Sequence, residues 1–171
     1  DAVLTDDYAG GKLAGEHLSQ LGHHKVAIVL PEDATENIRT RLTGFQKMYP
    51  DVVLIHAELS KAGGRKAAEK IVQTDVTAIF AINDELAFGL YLGLADLGKK
   101  IPQDYSVIGY DNIDMCEYVT PQLTTIAQPI YELGQTTAEL LLDRIAQPEK
   151  NWEEQTLPVQ LIQRFSTAHL K

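Results

Sequence analysis

Short apolar runs alternate along this chain with stretches whose apolar residues recur every three or four positions, and that alternation leaves few folds open. Runs suited to strands read at Ala2 to Leu4, Val26 to Leu30, Val52 to Ile55, Thr77 to Ala81 and Val107 to Ile108. Between them lie helical stripes: Leu13, Ala14, His17, Leu18 and Leu21, stopped by Gly22; then Ile38, Leu42, Phe45 and Tyr49, ended by Pro50. Ser60 caps a third helix facing inward with Ala67, Ala68, Ile71 and Val72, and Asn83 or Asp84 caps a fourth, Glu85 to Leu97, closed by Gly98. After a long loop a fifth helix spans about Tyr131 to Ala146, followed by apolar runs around Leu157 and Val159 to Ile162. Strands that are apolar throughout, joined by helices, predict right-handed βαβ crossovers and a parallel sheet covered on both faces. The expected fold class is α/β, a doubly wound, Rossmann-like parallel sheet, and the 171 residues make one domain by length.

The formal net charge of −9 speaks against this stretch itself gripping a nucleic-acid backbone. No run is long and apolar enough for a membrane span, and the first residues do not resemble a signal peptide. The single cysteine, Cys116, forms no intrachain disulfide, agrees with a reducing compartment such as the cytoplasm, and reads as a small apolar filler.

Motifs for the commoner chemistries are missing. No GxGxxG follows the first strand and no GxxxxGK[ST] occurs, so no nucleotide cofactor is expected; there is no GxSxG elbow and no Cys/His cluster at metal spacing. The adjacent His23 and His24 suit a turn. What remains is polar residues at strand ends: Asp6 and Asp7, Arg39 and Arg41, Asn83 and Asp84, Asp111 and Asn112, and Gln128. Singly each is a cap or a surface residue, and Asp111 could be bonding its own backbone in an Asx-turn. Together they bring carboxylates, amides and a guanidinium to the carboxyl edge of the sheet, where doubly wound folds bind ligands, and they suit a polyol held by paired hydrogen bonds. No nucleophile is paired with a base, so binding rather than catalysis is expected.

The run AIFAINDELAFGLYLGLADLGKKIPQDYSVIGYDN, with TPQLTTIAQP, LLLDRI, LPVQLIQRFST and the earlier DDYAGGKLAGEHLSQLGHHKVAIV and RLTGF, resembles the effector-binding core of the lactose and galactose repressor family. Type I periplasmic sugar-binding proteins share this fold, and a transporter's solute-binding protein is the alternative. A phospho-acceptor receiver domain also shares the sheet, but needs an aspartate after the third strand, where His56, Ala57 and Glu58 stand.

The resemblance implies a DNA-binding headpiece and most of a first lobe outside this stretch, with residues of about 3–125 and 158–167 forming the second lobe and a helix of about 130–146 crossing to the first. It implies that operator DNA is bound through the headpiece alone. It implies effector contacts from Arg41, Asn83 and Asp111, and from Gln128 by likeness to ribose-binding proteins. Leu59 stands where many relatives place an aromatic ring, which favours a compact pentose such as ribose over a purine. Residues of Glu85 to Leu97 supply a second apolar stripe, with Phe88 and Tyr91 prominent, and the loop around Tyr118 lies near; in the family such a face pairs across a two-fold axis, so a homodimer is expected.

Overall fold

A computed structural model describes residues 1–170. The elements are β1 (Ala2–Thr5), α1 (Asp7–Gln20), β2 (Val26–Leu30), α2 (Glu36–Phe45), β3 (Val53–His56), α3 (Lys61–Ile71), β4 (Ala78–Ala81), α4 (Asp84–Asp96), β5 (Ser106–Asp111), β6 (Thr124–Ala127), α5 (Ile130–Ala146), β7 (Glu154–Leu157) and β8 (Gln160–Ile162), with a 3-10 turn at Asp114–Glu117. A six-stranded sheet has the order β3-β2-β4-β5-β6-β8, parallel except for β8, which runs antiparallel to β6. Strands β2 and β4 are buried at every position because helices cover both faces. The chain reverses its direction of travel after β3, so right-handed crossovers put α2 on one face and α3 and α4 on the other. Helices α1 and α2 pack together, as do α3 and α4. The switch point falls between β2 and β4, and the crevice at their carboxyl ends is the ligand position of such sheets.

Four features depart from the sequence expectation. β1 stays out of the large sheet and pairs in parallel with β7, from Ala2 opposite Glu154 to Thr5 opposite Leu157. β5 does not stop at Ile108: Gly109 sits opposite Thr125 of β6, and the strand continues through the fully buried Tyr110 to Asp111. β6 falls within the stretch expected to be a long loop, yet Thr124 and Thr125 are fully buried with their hydroxyls bonded internally. Finally α1 starts at Asp7, ahead of the stripe beginning at Leu13, capped by the Asp6 carboxylate accepting from the Ala9 N–H at 2.8 Å, so Gly10 and Gly11 lie inside the helix. Their lack of Cβ serves packing: at Gly11 a Cβ would sit 1.9 Å from the Arg41 carbonyl oxygen, and at Gly10 2.4 Å from the Tyr110 hydroxyl. α2 can therefore press against α1, which sets the height of Arg41.

Candidate functional site

Strand register brings the predicted residues level. Phe80 pairs with Ile108, so Asn83 and Asp111, each three residues further on, emerge together; Asp111 pairs with Ala127, which puts Gln128 one step beyond. Asp111 and Asn112 both hold positive φ, 116° and 58°, conformations that cost on the order of 1–3 kcal/mol each in non-glycine residues and that concentrate at functional sites. Two clamps hold them. Arg164 donates from Nη2 to the Asn112 side-chain oxygen at 2.9 Å, and the Ile113 N–H donates to Oδ2 of Asp84 at 3.0 Å. The Asp111 carboxylate makes no Asx-turn; its Oδ1 accepts from Nε2 of Gln128 at 2.7 Å, and Oε1 of Gln128 accepts from the Thr5 hydroxyl at 3.1 Å. Burial raises the Asp111 carboxyl to about 6, with Asp84 and Asp7 pushing the same way while the Gln128 bond and Arg41 oppose it.

Arg41 reaches into the crevice from α2 with its side chain 6% exposed. Nε donates to Asp7 Oδ1 at 2.7 Å and Nη1 to the Ile82 carbonyl at 3.1 Å, while the guanidinium lies 3.7 Å over the Tyr110 ring. Tyr110 donates its hydroxyl to the same Asp7 oxygen at 3.1 Å, so the ring is fixed beneath the cation. Nη1 of Arg41 stands 3.9 Å from Asp111 Oδ1. Among the described residues nothing accepts from Nη2 of Arg41 or donates to Oδ2 of Asp111.

Asn83 is the α4 cap: its Oδ1 accepts from the Leu86 N–H at 2.9 Å, leaving its NH2 group for other use. Asp84, fully buried below it, accepts from the Thr125 hydroxyl at 2.7 Å and the Cys116 thiol at 3.1 Å as well as from Ile113, and burial raises its carboxyl. Cys116 is thus more than filler; it ties the 3-10 turn to the start of α4.

The other expected residues scatter. Leu59 is exposed on the loop after edge strand β3 and lines a separate hollow with Pro31, His56, Glu58 and Lys70. Three strand spacings separate β3 from β5, about 14 Å. Arg39 is on the exposed face of α2 with Glu36. Phe88 is 5% exposed and part of the core, so it belongs to no exposed second stripe. Tyr91 is partly buried and donates to the Pro121 carbonyl at 3.0 Å, while Tyr118 is 79% exposed, with Leu92 at 55%. His23 is neither a surface turn nor a ligand: its ring nitrogens lie within 3.1 Å of Thr77 Oγ1, Ser106 Oγ and the Ala168 carbonyl, at the opposite edge of the sheet.

The sequence reading placed no role on Thr5, Tyr110 or Arg164. A hydroxyl closing β1 and a tyrosine one residue before the site acid were visible signals; Arg164 was not, because its partners lie more than forty positions away.

Chemically the crevice offers guanidinium and amide donors beside a carboxylate acceptor, over an aromatic floor that is already occupied by the guanidinium. Adjacent hydroxyls of a sugar ring satisfy such a set, each bridging a donor and an acceptor. Beside it, Asn112, Ile113, Met115, Pro129 and Tyr131 line an open hollow continuous with Asp111 and Gln128.

Comparison with known proteins follows that chemistry. Residues 16–167 match the family of the periplasmic binding protein-like domain. A LacI family transcriptional regulator from Enterococcus faecalis, crystallised with bound ribose, is 66% identical over the whole chain with a TM-score of 0.99, and one from Enterococcus faecium, also with bound ribose, is 56% identical with a TM-score of 0.97. The chain covers 64% and 67% of those two structures. The transcriptional repressor PurR of Salmonella paratyphi B is 36% identical across 98% of this chain, which spans about half (52%) of that relative. The shared fold, the matched residues and these identities place the chain in the periplasmic binding protein-like domain family, as an effector-binding core of the lactose and galactose repressor (LacI) type.

Proposed function

We propose that this chain is the ribose-sensing part of a bacterial transcriptional repressor. The observation that carries the reading is the convergence of Arg41, Asp111 and Gln128 at the switch-point crevice, with the guanidinium and carboxylate each keeping a polar atom unengaged. Two regulators of high identity hold ribose, which supports a pentose over a purine. Asn83 adds an amide donor. Leu59 is a rim residue in this reading, too far along the edge to floor the sugar.

The first lobe, most of it outside this stretch, would close over the crevice. α5 supports this: Ile130, Tyr131, Leu141, Leu142 and Ile145 are all exposed, an apolar face larger than a lone helix leaves bare. The β1–β7 pair and α5 would belong with that lobe, and the remainder of residues 3–125 and 158–167 with the sensing lobe. Sugar bridging both lobes stabilises the closed form and so shifts the population that positions a DNA-binding headpiece. Operator contact belongs to that headpiece; the chain itself carries a net charge of −9. Two copies would pair through the face bearing Leu92, Tyr118 and Met115, with Tyr91 bracing the loop from behind and Phe88 supporting it from the core. The protein works without catalysis, cofactor or metal, in the cytoplasm.

Calorimetric titration of the full-length protein with ribose, and separately with hypoxanthine, tests the reading. Ribose should bind and hypoxanthine should not; Asp111→Ala should weaken ribose by about thirtyfold, the equivalent of one lost charge-assisted bond of about 2 kcal/mol. Absence of ribose binding by the parent refutes the effector, and unchanged binding by Asp111→Ala refutes the site.

A further inference from the structure

We propose that Thr5 is a positioning residue for the effector-binding acid: its hydroxyl orients the amide of Gln128, which in turn aims the Asp111 carboxylate into the crevice. The consequence for sugar rests on the function proposed above; the positioning itself does not.

The direction of each bond follows from chemistry. A carboxylate only accepts, so the Gln128 edge 2.7 Å from Asp111 must be the NH2 group. That choice turns Oε1 toward Thr5, and a hydroxyl 3.1 Å from a carbonyl oxygen donates to it. Without Thr5, nothing among the described residues holds the far edge of the amide, and rotation about its terminal torsion is soft. The chain of bonds also joins three separate passages of the backbone: the end of β1, the elbow between β6 and α5, and the end of β5. Next to Thr5, the Asp6 N–H donates to the Leu157 carbonyl at 2.9 Å, and the Gln128 N–H lies 3.5 Å from the Asp111 carbonyl. Any change in the angle between the β1–β7 pair and the large sheet therefore stretches Thr5 from Gln128 and is felt at Asp111.

The competing role for Thr5 is that of a β-branched strand residue opposite Leu157, which valine would fill equally well. The groups facing Asp111 separate the two roles. Arg41 comes from α2, Asp7 from α1 and Asp84 from α4, and none of them bonds Thr5; Gln128 does. The Gln128 bond favours the ionised carboxylate, so loosening it raises the Asp111 midpoint above its value of about 6, while a purely structural Thr5 leaves the midpoint alone.

The experiment follows the Asp111 side-chain carboxyl by carbon NMR through a pH titration of the ligand-free full-length protein, in the parent, Thr5→Val and Thr5→Ser, with ribose affinity measured by calorimetry on the same samples. Thr5→Val should raise the midpoint and weaken ribose by about fivefold, the size of one neutral hydrogen bond, and Thr5→Ser should restore both. An unchanged midpoint in Thr5→Val overturns the proposal, whatever happens to ribose. A raised midpoint in a protein that does not bind ribose supports the positioning role and refutes ribose as the effector.

Discussion

Replacing Arg41 by methionine should cost stability before any sugar is added. The substitution keeps the aliphatic stem and an adaptable end while removing the charge. In the native protein that charge is almost wholly buried, donating to Asp7 at 2.7 Å and to the Ile82 carbonyl at 3.1 Å and stacking 3.7 Å above Tyr110. Truncating one partner of a buried ion pair costs about 3–5 kcal/mol, because the other is left without compensation. Here the remainder is softened: Asp7 keeps the Tyr110 hydroxyl and sits in the first turn of α1, where the helix N-terminus favours a negative charge. The expected loss is therefore near the lower end, about 3 kcal/mol, from a domain whose total lies between about 5 and 15. Urea denaturation of ligand-free protein measures it without mixing in the stabilisation that a bound sugar brings. Asp7→Asn and the double variant complete a cycle, and the coupling should exceed about 1 kcal/mol, since the two side chains are in direct contact. A loss below about 1 kcal/mol for Arg41→Met, or additive single variants, would refute the claim that this pair is what seats the guanidinium.

The raised Asp111 carboxyl has a defined sign. Its folded midpoint of about 6 lies above the ordinary carboxylate value near 3.9, so the folded state holds its proton longer and Asp111 favours folding most at low pH, a contribution lost as pH climbs from about 4 through 6. Asp111→Asn should accordingly raise the ligand-free melting temperature at pH 7.5 while weakening sugar, and the parent's ribose affinity should fall below pH 6 as the acceptor is protonated; scanning calorimetry showing a less stable variant at pH 7.5 would contradict this. Phe88→Ala should destabilise by about 3–5 kcal/mol as a core cavity, with Tyr118→Asp costing less than about 0.5 kcal/mol yet dissociating the proposed dimer; sedimentation in which Phe88→Ala alone gives stable monomers would reverse these roles.

Phe88 shows where sequence reasoning lost its footing. Leu86, Leu90 and Leu94 make one buried stripe on α4, and Phe88 was set on a second because a surface helix needs one. α4 is covered by α3 along one side and by β5 and the loop at Pro121 along others, so Phe88 is absorbed within the monomer and Tyr91 partly so, while Leu92, Ala95 and Leu97 stay exposed. Leu59 illustrates a related limit of local spacing: it stands on the loop after β3, the sheet edge, so its distance from Asp111 is set by the strand order and not by the sequence around it.

By itself the sequence determined the class of fold, its helices and the edge at which polar residues gather, while the choice of Arg41, Asn83, Asp111 and Gln128 among them is what the family resemblance implies. These are legible because buried parallel strands are apolar at every position, helices repeat at 3.6, and strand ends in register deliver their next residues to one place. Only the tertiary structure decided that β1 leaves the sheet for β7, that β6 is a strand despite its threonines, and that Arg41 rests on Tyr110 while Thr5 reaches Asp111 through Gln128. Those contacts join residues separated by as many as 152 positions, as in the β1–β7 pair, and 123 for Thr5 and Gln128; no local period or spacing encodes such a pair, and a hydroxyl looks the same in sequence whether it faces water or the amide that aims an acid.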